Sequence, residues 1–199
     1  AVETLASFGS RVVMVHANFK EAASIAASHG FAEADGVLAD IGVSSMMVDD
    51  PSRGFSFMRE GPLDMRMNRN QELTASAVVN TYSEKEIADI LYTFGEERRS
   101  RAIARSIVRS RPLNLTTDLA RAVERVMGGP RYGRIHPATR SFQALRIFVN
   151  DELKSLETFL DSSMTVIRPG GRLVVVTFHS LEDRIVKQRL RTPAAPGRV

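Results

Sequence analysis

The chain has 199 residues, with 27 Lys and Arg against 23 Asp and Glu and no Cys, which excludes a disulfide framework and thiolate chemistry. At 43% hydrophobic and 25% charged, it has the composition of a globular protein large enough for one good core plus an appended or inserted subdomain. No run approaches the ~18 apolar residues of a membrane span, and the first residues lack a secretory pattern, so a cytoplasmic location is expected.

His16, His29, His136 and His179 show no metal-ligand spacing, and no metal is expected. The net charge of +4 points only weakly to a polyanionic partner.

In chain order, Arg11-Val12-Val13-Met14-Val15 reads as a strand, and Phe19 to His29 has helical spacing that stops at Gly30. Gly36-Val37-Leu38-Ala39-Asp40 reads as a second strand ending in a polar run, Asp40-Ile41-Gly42-Val43-Ser44-Ser45. No glycine-rich turn between a strand and a helix precedes Arg11, so the expectation is an N-terminus truncated before a cofactor-cradling loop. From Asp49 to Met67, turn formers, aromatics and charges follow without periodicity. A long ordered loop of this kind points to a site.

Three helices come next. Ser83-Glu84-Lys85-Glu86 is a capping box ahead of an apolar face of Ile87, Ile90, Leu91 and Phe94, closed by Gly95. The second runs from about Glu97 to Arg111 and is stopped by Pro112; the third starts near Thr117 and ends at Gly128-Gly129-Pro130. Together they read as an all-helical insertion. His136-Pro137 opens a long helical stretch carrying Phe142, Leu145, Val149, Leu153, Leu156 and Leu160. A helix then stops at Ile167-Arg168-Pro169-Gly170-Gly171, and a buried strand, Leu173 to Phe178, delivers His179 at its end. Ser180 and Asp183 cap a last helix, and Thr192 to Val199 has no pattern. Short apolar strands separated by helices imply a parallel sheet, whose ligands collect beyond the carboxyl ends of its strands. Asp40 and His179 are therefore expected to share one crevice.

The candidate site residues each have two readings. Asp40 accepts hydrogen bonds from a cofactor or substrate amine, or caps the following turn. His179 orients substrate or shuttles a proton, or satisfies backbone groups where strand meets helix. Arg98, Arg101, Arg105 and Arg109 form a cationic stripe for phosphates, extended by Arg131, Arg134 and Arg140, or a solvated face salt-linked to Glu96 and Glu97. Phe55, Phe57, Met65 and Met67 stack on a base, or form a hydrophobic cluster under the loop.

Five blocks taken together, Gly36 to Ser45, Arg53-Gly-Phe-Ser-Phe57, Gly61-Pro-Leu-Asp-Met-Arg-Met67, His136 to Arg146 and Phe178-His-Ser-Leu-Glu-Asp-Arg184, resemble one family closely. It is the bacterial small-subunit ribosomal RNA cytosine-N4 methyltransferase family, the RsmH or MraW type, and the likeness runs in order from about Phe8 to Arg191. The resemblance implies an α/β, Rossmann-like class I methyltransferase sheet, incomplete at the N-terminus, with an inserted all-helical domain. It divides the chain into a first methyltransferase part over 1–50, a helical substrate-recognition domain over 51–137 and a second methyltransferase part over 138–199. It implies S-adenosyl-L-methionine as cofactor and, as target, a cytosine amine in the decoding region of small-subunit ribosomal RNA.

Phe19 in His16-Ala-Asn-Phe19, and Asp40, match cofactor-contacting residues of the family. Met47 stands where the family has a cofactor-contacting Gln, so Ser45-Met46-Met47 departs from its pattern. Asp40 is the candidate acceptor for the amine, with Ser44, Ser45 and His179 as polar partners, and Arg53, Arg66, Arg98, Arg101, Arg105, Arg109 and Arg140 are candidate RNA contacts. The family's glycine-rich loop and its ribose-holding acidic residue would both lie before Ala1, and the family continues past Arg191, so the chain is expected to be a piece of the enzyme. The alternative is an RNA-binding fragment without catalytic activity, and a related methyltransferase acting on another amine stays open as a third reading.

Overall fold

A computed structural model describes residues 2–31, 33–130, 132–133 and 135–191. Arg131, Arg134 and the tail from Thr192 to Val199 lie outside the described residues. The chain separates into two compact units, one of residues 1–41 with 153–199 and one of residues 42–152.

The first unit holds α1 (Val2–Leu5), α2 (Ala22–Ser28), β1 (Ala34–Asp40), most of α9 (Glu152–Ser163), β2 (Ile167–Val176) and α10 (Ser180–Arg191). β1 and β2 pair in parallel, with Leu38 opposite Val174 and Asp40 opposite Val176. The expected parallel sheet is therefore present, as two strands among the described residues. Opposed residues of a parallel pair point to the same face. One face carries Val37, Ala39, Leu173 and Val175 onto Ile41, Leu156, Phe159, Leu160 and Val186. The other exposes Leu38, Val174 and Val176 and bears Asp40 beside them.

Two expectations for this unit differ from the structure. Arg11 to Val15 are not a strand: Arg11 ends a 3₁₀ turn and the residues after it pair with no strand among the described residues, and a segment without a ladder partner lacks the hydrogen bonds that define one. The Pro-Gly-Gly segment lies inside β2, not ahead of it. The register slips there, from Ala34 opposite Ile167 to Gly36 opposite Arg172, so Arg168 to Gly171 are looped out of a strand that continues on both sides. β2 is also half-exposed, not buried.

The second unit contains α3 (Ser45–Asp49), α4 (Ala75–Thr81), α5 (Glu84–Gly95), α6 (Ser100–Arg109), α7 (Thr116–Met127) and α8 (Thr139–Asn150). The capping box at Ser83 forms as its spacing predicts, with the Ser83 Oγ accepting the Glu86 N–H and a Glu86 oxygen accepting the Ser83 N–H. The core joins Ile87, Ile90 and Leu91 of α5, Ile103 and Ile107 of α6, Leu119 and Val123 of α7, and Phe142, Leu145 and Val149 of α8. Gly95 is the last residue of α5, and the left-handed turn falls on Glu96. A Cβ at Gly95 would stand 2.7 Å from the Arg140 carbonyl oxygen, so this glycine permits close packing of α5 on α8.

The single long helix expected from His136 to Leu160 is two helices, α8 and α9, broken at Asp151 with φ 48°. Asn150 explains the break: its side-chain nitrogen donates to the Met65 carbonyl (2.7 Å) and its oxygen accepts the Met67 N–H (2.6 Å). The loop thus ties off the end of α8. For the same reason α8 belongs with residues 42–152, whereas the sequence boundary at 137/138 divides it from them.

Candidate active site and nucleic-acid face

The carboxyl end of the two-stranded sheet brings Asp40 and the segment after Val176 to one edge, because the strands are parallel and Asp40 is opposite Val176. Asp40 is exposed there. His179 follows three residues after Val176 and is turned inward, its side chain 9% exposed with Nε2 3.1 Å from Glu182 Oε1. Asp40 and the segment that carries His179 thus leave the sheet at the same end, with Asp40 exposed and His179 turned inward.

Phe19 begins a short 3₁₀ turn entered through Asn18, whose side chain accepts the Lys20 N–H at 3.0 Å. Its ring is 37% exposed and meets Phe159 edge to face with 5.6 Å between centroids. It edges a groove of about 400 Å³ lined by Val13, Val15, Asn18, Ile25 and His29 among others. That volume lies in the range of small-molecule sites, and apolar walls with a few polar groups are their usual lining.

Ser44 and Ser45 follow Asp40 along the chain at the start of α3. The Ser44 Oγ accepts the Met47 N–H at 3.3 Å. Ser44 and Ser45 are exposed and Met47 is half-buried.

The loop from Pro51 to Gln71 is held by its own charges. Arg66 makes two hydrogen bonds to Asp64, at 2.8 and 2.9 Å, and donates to the carbonyls of Arg69 and Gln71. Burial pushes the Asp64 carboxyl up, but the Arg66 hydrogen bonds and charge outweigh it, and the group lies below its ordinary range. Arg53 donates to the carbonyls of Arg66 (2.7 Å) and Met67 (3.1 Å). Both arginines, expected as RNA contacts, thus brace the loop. At Gly61 the loop meets α7: the Gly61 carbonyl accepts the Thr116 N–H at 2.9 Å, and a Cβ at Gly61 would stand 1.9 Å from the Pro51 carbonyl oxygen. Between the two readings of the aromatics, the packing favours the cluster. Met65 is fully buried, Phe55 and Phe57 pack on the helical core, and Phe57 stacks on His136 with 4.3 Å between centroids.

The arginine stripe is on the surface. Ile103, Ala104 and Ile107 face the core, while Arg101, Arg105 and Arg109 are exposed on the opposite side of α6 and Arg98 just before it. Spacing of four residues puts successive arginine Cα atoms about 6 Å apart along the axis. Arg105 Nε lies 3.3 Å from Glu84 Oε1, and exposed pairs of that kind exchange readily with a stronger anion. Arg140 is exposed and donates to the Glu96 carbonyl at 3.2 Å.

Residues 1–198 match the MraW methylase family. The chain belongs to that family. It is similar to proteins named ribosomal RNA small subunit methyltransferase H. The relative from a Nostoc species is 55% identical over 192 residues, covering 96% of this chain and 62% of the relative. That of Dehalococcoides mccartyi is 50% identical over 194 residues, covering 98% and 55%. That of Trichormus variabilis is 54% identical over 194 residues, covering 96% and 61%. The chain thus spans between 55% and 62% of the length of these curated relatives. The family is one of methylases, which implies a methyl donor for its members. No helix among the described residues is long and apolar enough to cross a membrane.

Sequence reasoning passed over three residues that build these features. Asn150 clamps the loop. Arg111 donates from Nε to the Val79 carbonyl at 2.7 Å and from Nη2 to that of Tyr82, closing the end of α4. Glu182 is a carboxylate 2% exposed, and the last helix is capped by His179 with Glu182, not by Ser180 with Asp183 as expected.

Proposed function

We propose that this chain carries the catalytic edge and the RNA-holding surface of an S-adenosyl-L-methionine-dependent methyltransferase. Its substrate is the N4 amine of a cytosine in the decoding region of small-subunit ribosomal RNA, and its place of work the cytoplasm. Membership of the MraW methylase family over residues 1–198 is the observation that carries this reading. The name shared by the relatives, which specifies small-subunit ribosomal RNA, supports the substrate class.

S-adenosyl-L-methionine, when bound, supplies an electrophilic methyl group on a sulfonium. Phe19, its groove, Asp40 and Met47 are the residues proposed to hold it. The cytosine amine is a weak nucleophile because its lone pair is delocalised into the ring. An exposed carboxylate at Asp40 accepts a hydrogen bond from one amine N–H, which fixes the amine's orientation and favours localisation of the lone pair. It also gives the departing proton a first acceptor on the way to water. Ser44, Ser45 and His179 are the polar residues proposed to assist. A paired or stacked base must leave its neighbours to be reached, and Arg98, Arg101, Arg105, Arg109 and Arg140 are the residues proposed to supply cations for RNA phosphates. Arg53 and Arg66 contribute by holding the loop in shape.

Asp40→Ala in the enzyme should lower methyl transfer to small-subunit ribosomal RNA by about 10²–10⁴-fold. Transfer near the wild-type rate would remove Asp40 from the mechanism. Titration calorimetry of S-adenosyl-L-methionine onto the 199-residue chain should show binding; RNA binding with no heat from the cofactor would favour a fragment that holds RNA alone.

A further inference from the structure

The turn after β2 is closed on one buried side chain. Glu182 Oε2 accepts the N–H of Phe178 at 2.8 Å and that of His179 at 3.3 Å. In return the Glu182 N–H donates to His179 Nδ1 at 3.4 Å. This is a capping box in which His179 stands at the N-cap of α10 and Glu182 three residues on. Its additional bond to Phe178 reaches back beyond the cap, toward the end of the strand. A ring nitrogen that accepts an N–H carries no proton, so neutral His179 is the Nε2–H tautomer. Its Nε2 is buried and finds no hydrogen-bond partner of good geometry, although Glu182 Oε1 lies 3.1 Å away.

The group that this turn presents outward is Phe178, 66% exposed. Exposed and half-buried residues alternate without interruption from Arg172 to Phe178, so Phe178, two residues past the end of β2, is exposed as Val174 and Val176 are. Asp40, opposite Val176, is exposed at the same sheet end. An aromatic ring on a backbone already fixed loses little freedom when a planar base stacks on it.

We propose that Glu182 is a positioning residue of the methyl-transfer site, holding the turn so that the Phe178 ring stays displayed beside Asp40 as the stacking surface for the acceptor base. His179 is the inward strut of that turn. The inference rests on the reading given under Proposed function, and adds to it which ring meets the base and what holds the ring in place. A carboxylate serving the helix alone would affect stability only. One that positions Phe178 also controls how RNA is used.

The test has two arms. In the 199-residue chain, nitrogen NMR of the imidazole should show the Nε2–H form of His179. Glu182→Ala should speed hydrogen exchange of the Phe178 amide by about tenfold or more, while Glu182→Gln, which keeps an acceptor oxygen, should do so less. In methyl-transfer assays of the wild-type protein and its variants, Phe178→Leu should lower kcat/KM for RNA about tenfold, the effect of losing one base–aromatic stack. Affinity for S-adenosyl-L-methionine should be unchanged, and Phe178→Tyr should restore transfer.

Unchanged exchange in Glu182→Ala, or wild-type kinetics in Phe178→Leu, overturns the proposal. Should Glu182→Ala fail to fold, Phe178→Leu and its Tyr counterpart decide alone. Absence of transfer by the wild-type protein removes the functional reading and this proposal with it, and the exchange data then leave Glu182 as a helix cap.

Discussion

Asp64 and Arg66 show how a residue's chemistry can be legible while its task is not. From its type Arg66 could face a phosphate and Asp64 solvent, but each is 22% exposed and they meet in two parallel hydrogen bonds. Because the folded Asp64 carboxyl lies below its ordinary range, its stabilisation is complete above the unfolded value, about 4. It is lost as pH falls through the lower folded value. Amide exchange in the loop should therefore accelerate only in acid below about pH 4. Asp64→Asn should abolish that pH dependence and cost about 1–3 kcal/mol, since Arg66 loses a charged acceptor. Loop protection in Asp64→Asn that still collapses with the wild-type pH profile would assign the acid sensitivity elsewhere.

Elements followed their local signals where a helix has its own cap and its own stripe. Ser83 and Glu86 fix the start of α5, and the alternation of isoleucine with arginine fixes which side of α6 is buried. The cationic stripe gives a direct prediction. Replacing Arg101, Arg105 and Arg109 with Gln should leave the melting temperature nearly unchanged, since all three are exposed. RNA affinity should fall, and the slope of log affinity against log salt should flatten by about 2, near 0.7 for each single-strand phosphate that is no longer neutralised. An unchanged slope in filter-binding or anisotropy titrations would mean the stripe touches solvent only. Where a signal depended on a distant partner, local reading failed. The helical pattern runs straight through Asp151, and only Asn150 bonding to Met65 and Met67 shows why the helix stops. The valines of residues 12–16 have strand propensity but no ladder among the described residues.

For the whole molecule, the division into two units has a consequence for folding. Residues 42–152 are contiguous and enclose a core of isoleucine, leucine and valine from five helices. Expressed alone, this segment should give a cooperative thermal transition by circular dichroism and retain RNA binding through α6. A non-cooperative melt would show that its core needs the remainder of the chain. The other unit is assembled from two separated pieces of sequence, and its sheet exists only when β1 and β2 meet.

By itself the sequence determined the family, through five blocks in fixed order, and the helical character of the middle of the chain. Periodicity and capping are local properties, written within a few turns of a helix. The tertiary structure alone decided that Arg53 and Arg66 brace a loop while the α6 arginines stay on the surface, that α8 belongs to the helical unit, and that Glu182 is buried beneath the turn after β2. Those outcomes depend on which carbonyls and N–H groups from distant parts of the chain come within hydrogen-bonding distance, and residue type and spacing do not encode that.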